Sequence, residues 1–382
     1  MSPPLSPNGT ALTLGSRAKH RPDPVRVKPQ AWRLAAQIHQ RIRSRKWPDR
    51  HALASLRQTC AQLKTLICLA LLAWPLMSSA GPLRACTALG LQAVAPGVWA
   101  WNAIDQDLHA DNAGQIISNV VLLDHGHALL IDPGATQAHG QALREALACL
   151  GPATLDAVWN SHAHAENTLG NGAFESSGAA LTATAATQAA MHRRCPSCLQ
   201  HVIDTLGPQR TAGTHIVVPS HTPPPAGDWQ DLLVGQHHWQ WRDFENAHSE
   251  SDAVWWDAKH RTLIAGGLIY QGRLPELAQG QLQRWLAALD TLAALNPEVV
   301  IGQRVGTAAD LDATRAYLCQ LQNGILDALE RGDTASQTPV LPMPAFAHWA
   351  GYADRQGFNT QRAWRELEGQ WMSGKLQACL PR

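Results

Sequence analysis

The chain has 382 residues, 45% of them hydrophobic and 16% charged, which supplies apolar material for one large core or two ordinary ones. Its net charge of +1 conceals an asymmetry: residues 1–80 carry 13 Lys/Arg against two acids, and residues 81–382 carry 18 against 28. An acidic body of that kind argues against a nucleic-acid-binding surface, because phosphate backbones need cationic partners.

Residues 1–57 are Pro- and Arg-rich and show no hydrophobic periodicity, so they are expected to be disordered; a mis-assigned start would explain them. After Lys64 comes an apolar run from Leu66 to Trp74, then Pro75 and the small residues Ser78-Ser79-Ala80. A positive flank, a short apolar stretch and small residues before a cleavage point describe a secretory signal over 58–80, cut after Ala80. The run falls short of the roughly 20 apolar residues of a membrane-crossing helix. The competing reading is an uncleaved anchor or a buried helix. The signal implies a periplasmic or secreted protein with no membrane span after cleavage.

Residues 92–101 read as an opening strand pair, and 116–123 with 128–131 as a hairpin across Asp124-His125-Gly126-His127. Residues 136–150 carry apolar positions at helical spacing, and 155–159 form a strand that runs directly into His162. The pattern then predicts a helix over 178–192, strands over 214–218 and 237–244, and a hairpin of 253–256 with 262–265. Residues 281–295 are amphipathic, with Leu282, Trp285, Leu286, Leu289 and Leu292 on one face. A short strand at 298–301, a helix from about 309 to 330, a Pro-rich stretch over 334–344 and a closing helix over 360–371 complete the chain. Two β-rich halves with outer helices predict an α/β fold, a four-layer αββα sandwich over 81–333, with linker and helix in 334–382 packing on it. Trp239, Trp241, Trp255 and Trp256 alternate on strands and read as packing residues.

Six cysteines follow the signal: Cys86, Cys149, Cys195, Cys198, Cys319 and Cys379. In an oxidising compartment an even count permits pairing. Cys195-Pro196-Ser197-Cys198 admits a structural disulfide, a redox-active pair or half of a zinc knuckle. No second Cys-x-x-Cys or His pair completes a knuckle, and no thioredoxin-like context is present, so a structural bridge is the expectation. The other four cannot be paired from sequence.

The chemistry concentrates in Asn160-Ser161-His162-Ala163-His164-Ala165-Glu166-Asn167. Two histidines at i and i+2 on extended backbone point to one side, so both can reach one ion, and zinc suits imidazole best. The chain has 18 histidines; His125, His127, His237 and His238 read as surface or hairpin residues.

Four stretches in order resemble the metallo-β-lactamase superfamily: residues 121–134 with Asp132-Pro133-Gly134, residues 161–171, Ala247-His248-Ser249-Glu250-Ser251-Asp252, and residues 263–275 with Gly266-Gly267. Within that superfamily the chain resembles the exported quinoprotein relay system zinc metallohydrolases, through the Cys195/Cys198 pair and residues 358–368. The resemblance covers the whole exported part. It implies a third histidine ligand, His248, and a loop-orienting role for Asp132. It also exposes departures: where two-zinc members place a second ion's Asp, His, bridging Asp and final His, this chain has Glu166, Asn167, Gly267 and Gln303. Glycine offers no ligand and neutral amides bind zinc weakly, so the second metal site is degenerate. Arg304, beside Gln303, could replace the missing metal's charge.

His162, His164 and His248 would hold one zinc and leave a position open for water, whose pKa the ion brings to about 7. Glu166 could hold that water as a general base. The expected activity is hydrolysis of an ester, thioester or amide in a small-molecule substrate. The subgroup resemblance adds a role accessory to a periplasmic quinoprotein dehydrogenase. The rival expectation is a metal-poor pseudoenzyme serving as a binding or assembly factor for such a quinoprotein. A redox protein built on Cys195 and Cys198 is the third.

Overall fold

The computed structural model describes residues 90–103, 107–151, 154–225 and 227–380. The expectations for 1–57, for the signal at 58–80 and for Cys86 lie outside them. Two six-stranded sheets organise the described residues. The first contains, in spatial order, β1 (Leu91–Ala95), β2 (Val98–Trp101), β3 (Asn119–Asp124), β4 (His127–Ile131), β5 (Thr154–Trp159) and β6 (Ala180–Thr182). The expected hairpins are present: β1 pairs antiparallel with β2, and β3 with β4 across the 124–127 turn. Helix α1 (Gln137–Cys149), capped by the Thr136 hydroxyl, carries the chain from β4 to a parallel β5. A single turn, α2 (Ala165–Thr168), follows the strand-end histidines, and α3 (Ala185–Leu206) follows β6.

The second sheet runs, from its opposite edge, β7 (Gln230–Val234), β8 (His237–Glu245), β9 (Ser251–Asp257), β10 (Thr262–Ile264), β11 (Val299–Ile301) and β12 (Val305–Gly306). Helices α4 (Leu282–Ala293), α5 (Ala308–Glu330) and α6 (Tyr352–Met372) cover its outer face. Alternation along β9 shows how the layers are separated. Trp255 enters the core between the sheets with Trp159, Trp239, Trp241 and Ile131, whereas Val254 and Trp256 point outward against Trp285, Leu289, Tyr317 and Trp364. A third apolar cluster, Val121, Leu130 and Val158 against Leu143, Ala146 and Phe174, seats α1 on the outside of the first sheet. The result is the four-layer α/β sandwich.

Three predicted elements differ. The helix expected over 178–192 is instead β6 followed by α3, because residues 180–182 pair parallel with β5 before the Thr184 hydroxyl caps the helix. Residues 214–218 form no strand: Ile216 and Val218 pack their β-branched side chains against Ala190, Met191 and Cys195. The closing helix begins at Tyr352 rather than residue 360. Cys319 on α5 is bonded to Cys379, which ties the C-terminal tail to that helix, and Cys149 is also disulfide-bonded. Among the described residues no helix is long and apolar enough to cross a membrane.

Candidate metal centre and adjoining cleft

The rim of the sandwich brings together residues far apart in sequence. His162 and His164 leave the end of β5, and His248 sits in the turn between β8 and β9. Their rings form a near-equilateral triangle, with centroids 4.7, 4.9 and 4.8 Å apart and planes crossing at 72°, 82° and 83°. One ligand nitrogen from each lies within 4.8 Å of the others. His162 and His248 are fully buried, and His164 alone of the three lines an open cleft.

Hydrogen bonds fix which nitrogen of each ring carries its proton. Ser161 donates its hydroxyl proton to Asp132 Oδ2 (2.6 Å), so the 2.8 Å contact between Ser161 Oγ and His162 Nδ1 places the ring's proton on Nδ1. His162 Nε2 is then a lone pair, and it is buried without a hydrogen-bond partner. His248 donates Nδ1–H to Asp252 Oδ1 (3.0 Å), and His164 donates Nε2–H to Gln279 Oε1 (2.9 Å). That leaves His164 Nδ1 as a lone pair, and His248 Nε2 as a lone pair met only by the Tyr270 hydroxyl at 3.2 Å. An ordinary core would not bury an orphaned imidazole lone pair beside two others. Three imidazoles are a donor set that fits zinc. Burial, followed by the neighbouring rings, holds His162 well below the usual histidine range and lowers His164 as well, which favours the uncharged, ligand-competent form.

Asp132 anchors the loop. Its backbone adopts the left-handed conformation (φ 59°), its Oδ1 accepts the Ser161 N–H (2.7 Å), and its Oδ2 accepts the Asn167 side-chain N–H (2.8 Å) besides the Ser161 hydroxyl. Burial pushes its carboxyl up to about 7 despite those donors. Asn167 is thus engaged with Asp132. Gln303 joins the neighbouring turn only through its backbone, donating N–H to Ile269 O (2.9 Å) and accepting from Ser118 Oγ (3.2 Å), while its side-chain oxygen is buried without a partner. Gly267 lies directly against the trio. A Cβ there would stand 2.4 Å from His248 Nδ1 and 2.9 Å from His162 Cε1.

Glu166, in the first turn of α2, places Oε1 3.9 Å from His164 Nδ1 and lines the cleft. The cleft measures about 380 Å³, and Arg194, Cys198, Arg273, Glu276 and Arg355 also border it. Four side chains with clear work here carried no assigned role in the sequence reading: Ser161, Asp252, Gln279 and Tyr270. Asp252 had a legible cue, since it follows His248 by four residues. The Tyr270 hydroxyl, 3.2 Å from His248 Nε2, had none.

The expected Cys195–Cys198 bridge is absent: both are free thiols. They sit one turn apart within α3, where Cys195 packs against Ala163, Ala190 and Met191 while Cys198 faces the cleft. Burial pushes the Cys195 thiol up to about 11 and raises Cys198 as well, which removes the reactive thiolate a redox pair requires.

A family model described as the metallo-beta-lactamase superfamily matches residues 113–304. Solved structures similar to this chain include a metallo-beta-lactamase from Pontibacter korlensis, at 14% identity, with 60% of this chain and 97% of that one covered and a TM-score of 0.48. A metallo-beta-lactamase from Hirschia baltica is similar at 15% identity, 60% and 96% coverage and a TM-score of 0.48. The FIM-1 metallo-beta-lactamase from Pseudomonas aeruginosa, in its mono-zinc form, gives 13% identity, 60% and 94% coverage and a TM-score of 0.49. Comparison with curated protein sequences gave no match.

Proposed function

Because this chain belongs to the metallo-β-lactamase superfamily, we propose that it is a single-zinc hydrolase of an ester, thioester or amide, with the ion held by His162, His164 and His248. The observation that carries this reading is the orphaned, fully buried His162 Nε2 in a triangle with two further imidazole rings. Zinc, when bound, lowers the pKa of a coordinated water toward neutrality and polarises a scissile carbonyl. The protein's own groups do the rest. Ser161, Asp252 and Gln279 hold the three rings in the required tautomers. The 380 Å³ cleft admits a small molecule. Glu166, bordering both cleft and trio, is placed to take a proton from an attacking water and return it to the leaving group.

Zinc analysis with a panel of model esters tests the proposal. The protein should hold about one ion at this trio, and His162→Ala with His164→Ala should remove both that ion and hydrolysis. Glu166→Gln should keep the ion and lose about a hundredfold or more in kcat. Wild-type protein that takes up no zinc at the trio and cleaves no substrate would favour the second reading, a pseudoenzyme acting as a binding or assembly factor. Its support is the degenerate second set: Asn167 committed to Asp132, and no side chain at Gly267.

Export through the signal at 58–80, to the periplasm or beyond, is part of the same proposal and is supported by the Cys319–Cys379 disulfide. A role beside a periplasmic quinoprotein dehydrogenase rests on the resemblance of residues 358–368. It predicts reduced quinoprotein activity in cells lacking this protein.

A further inference from the structure

A second group of imidazoles occupies the opposite ends of β8 and β9 from His248. Asp257 closes β9 with its side chain fully buried. Its Oδ1 accepts the backbone N–H groups of Lys259 (2.9 Å) and His260 (3.2 Å), an Asx turn that fixes the carboxylate's rotation. The other oxygen, Oδ2, then faces two rings: His237 Nε2 at 2.8 Å and His260 Nδ1 at 2.7 Å. His237 is the first residue of β8 and His260 belongs to the turn before β10, so two elements aim imidazoles at one oxygen. The rings stack 5.3 Å apart with planes 16° from parallel. All three ligand atoms lie within 4.8 Å of one another.

We propose that His237, Asp257 and His260 form a separate divalent-cation site, independent of the first, for an ion that favours imidazole with carboxylate, zinc foremost. The two N–H groups satisfy the two lone pairs of the buried Oδ2 in the metal-free state; the same convergence sets two imidazoles from separate elements and one carboxylate around a single point, as a divalent ion requires. His237, which the sequence alone marks as a surface or hairpin residue, is largely buried against Asp257. The rings keep 19% and 24% exposure and border a cavity of about 220 Å³ shared with Asp124 and Lys259, so an ion has a path in and room for a water ligand. Without metal each ring donates a proton to Oδ2. On binding, each ring takes the tautomer that carries its proton on the far nitrogen, so the facing nitrogens become ligands. The rings must part from hydrogen-bonding distance, and their partial exposure permits it. Such an ion would clamp the start of β8 to the end of β9, at the far side of the sheet from the cleft. Its work is therefore structural.

The full chain, stripped by chelator and refilled with zinc alone, should hold about two ions, and either double variant, His162→Ala/His164→Ala or His237→Ala/His260→Ala, about one. In the first of these variants, zinc should still raise the thermal midpoint. Should His237→Ala/His260→Ala misfold, His260→Gln keeps a donor toward Asp257 and should weaken the remaining ion of the first variant about tenfold or more. Zinc content and affinity unchanged by both His237→Ala/His260→Ala and His260→Gln would overturn the site. The two centres fail separately: loss of the catalytic proposal removes only the ion that depends on His162 and His164.

Discussion

Gly267 bears directly on the proposal of a single ion at the rim of the sandwich. A Cβ at this position would meet His248 Nδ1 at 2.4 Å, His248 Cε1 at 2.5 Å and His162 Cε1 at 2.9 Å. Neither ring can yield, because Asp252 and Ser161 grip them from behind. The space a bridging carboxylate would need is therefore filled by the rings of His248 and His162, the proposed ligands. Gly267→Asp should fail to create a two-ion centre and should instead lower zinc affinity at the trio at least about tenfold, read by competition with a chromophoric chelator. A variant that gained an ion would refute this. The sequence made His162, His164 and His248 legible because ligand type, i, i+2 spacing and motif order all point the same way. It could not show which nitrogen of each ring carries the proton. That depends on partners such as Gln279, 115 residues from His164, which only folding brings near.

At the scale of elements, α4 is the wall that keeps the third histidine in place. Its apolar stripe was plain in the sequence, and Trp285 on that stripe is fully buried. Trp285 packs edge-on to His248 at 5.0 Å and donates its indole N–H to Leu268 O (2.9 Å), joining the helix to the Gly267 turn. Trp285→Ala should cost about 3–5 kcal/mol in urea denaturation of the metal-free protein, through lost packing and an unsatisfied carbonyl. It should also weaken zinc binding at the trio; unchanged affinity would show that the helix supports the core alone. Elements with one clean signal were legible, and those where two signals competed were not. β7 escaped notice because an edge strand exposed along most of its length shows no alternation. The Ala-rich residues 179–183 read as helix, yet parallel pairing with β5 claims 180–182 for the sheet. The β-branched run 214–218 reads as strand, yet packing on α3 claims it.

For the molecule as a whole, the cleft is assembled from segments that no local rule connects, and Asp107 joins three of them. From the chain after β2 its carboxylate accepts from Arg273 Nε (3.0 Å), beyond the Gly267 turn, and from Arg355 (2.7 Å) on α6. Partial burial pushes the Asp107 carboxyl up, but the two guanidinium groups more than offset this and hold it below its usual 3.8. The sign follows from linkage. A carboxyl depressed in the folded state stabilises the protein above its unfolded pKa of about 3.9, and that contribution is lost as pH falls through the lower folded value. Asp107 is 37% exposed, so solvent screens the pairs and Asp107→Asn should cost only about 1 kcal/mol at neutral pH. The difference between wild type and variant should stay level from about pH 5 to 8 and shrink below about pH 4, measured as paired denaturation curves. A gap that persisted undiminished at low pH would mean that Asp107 acts through packing, and the three cleft segments would then be held together by shape instead of charge.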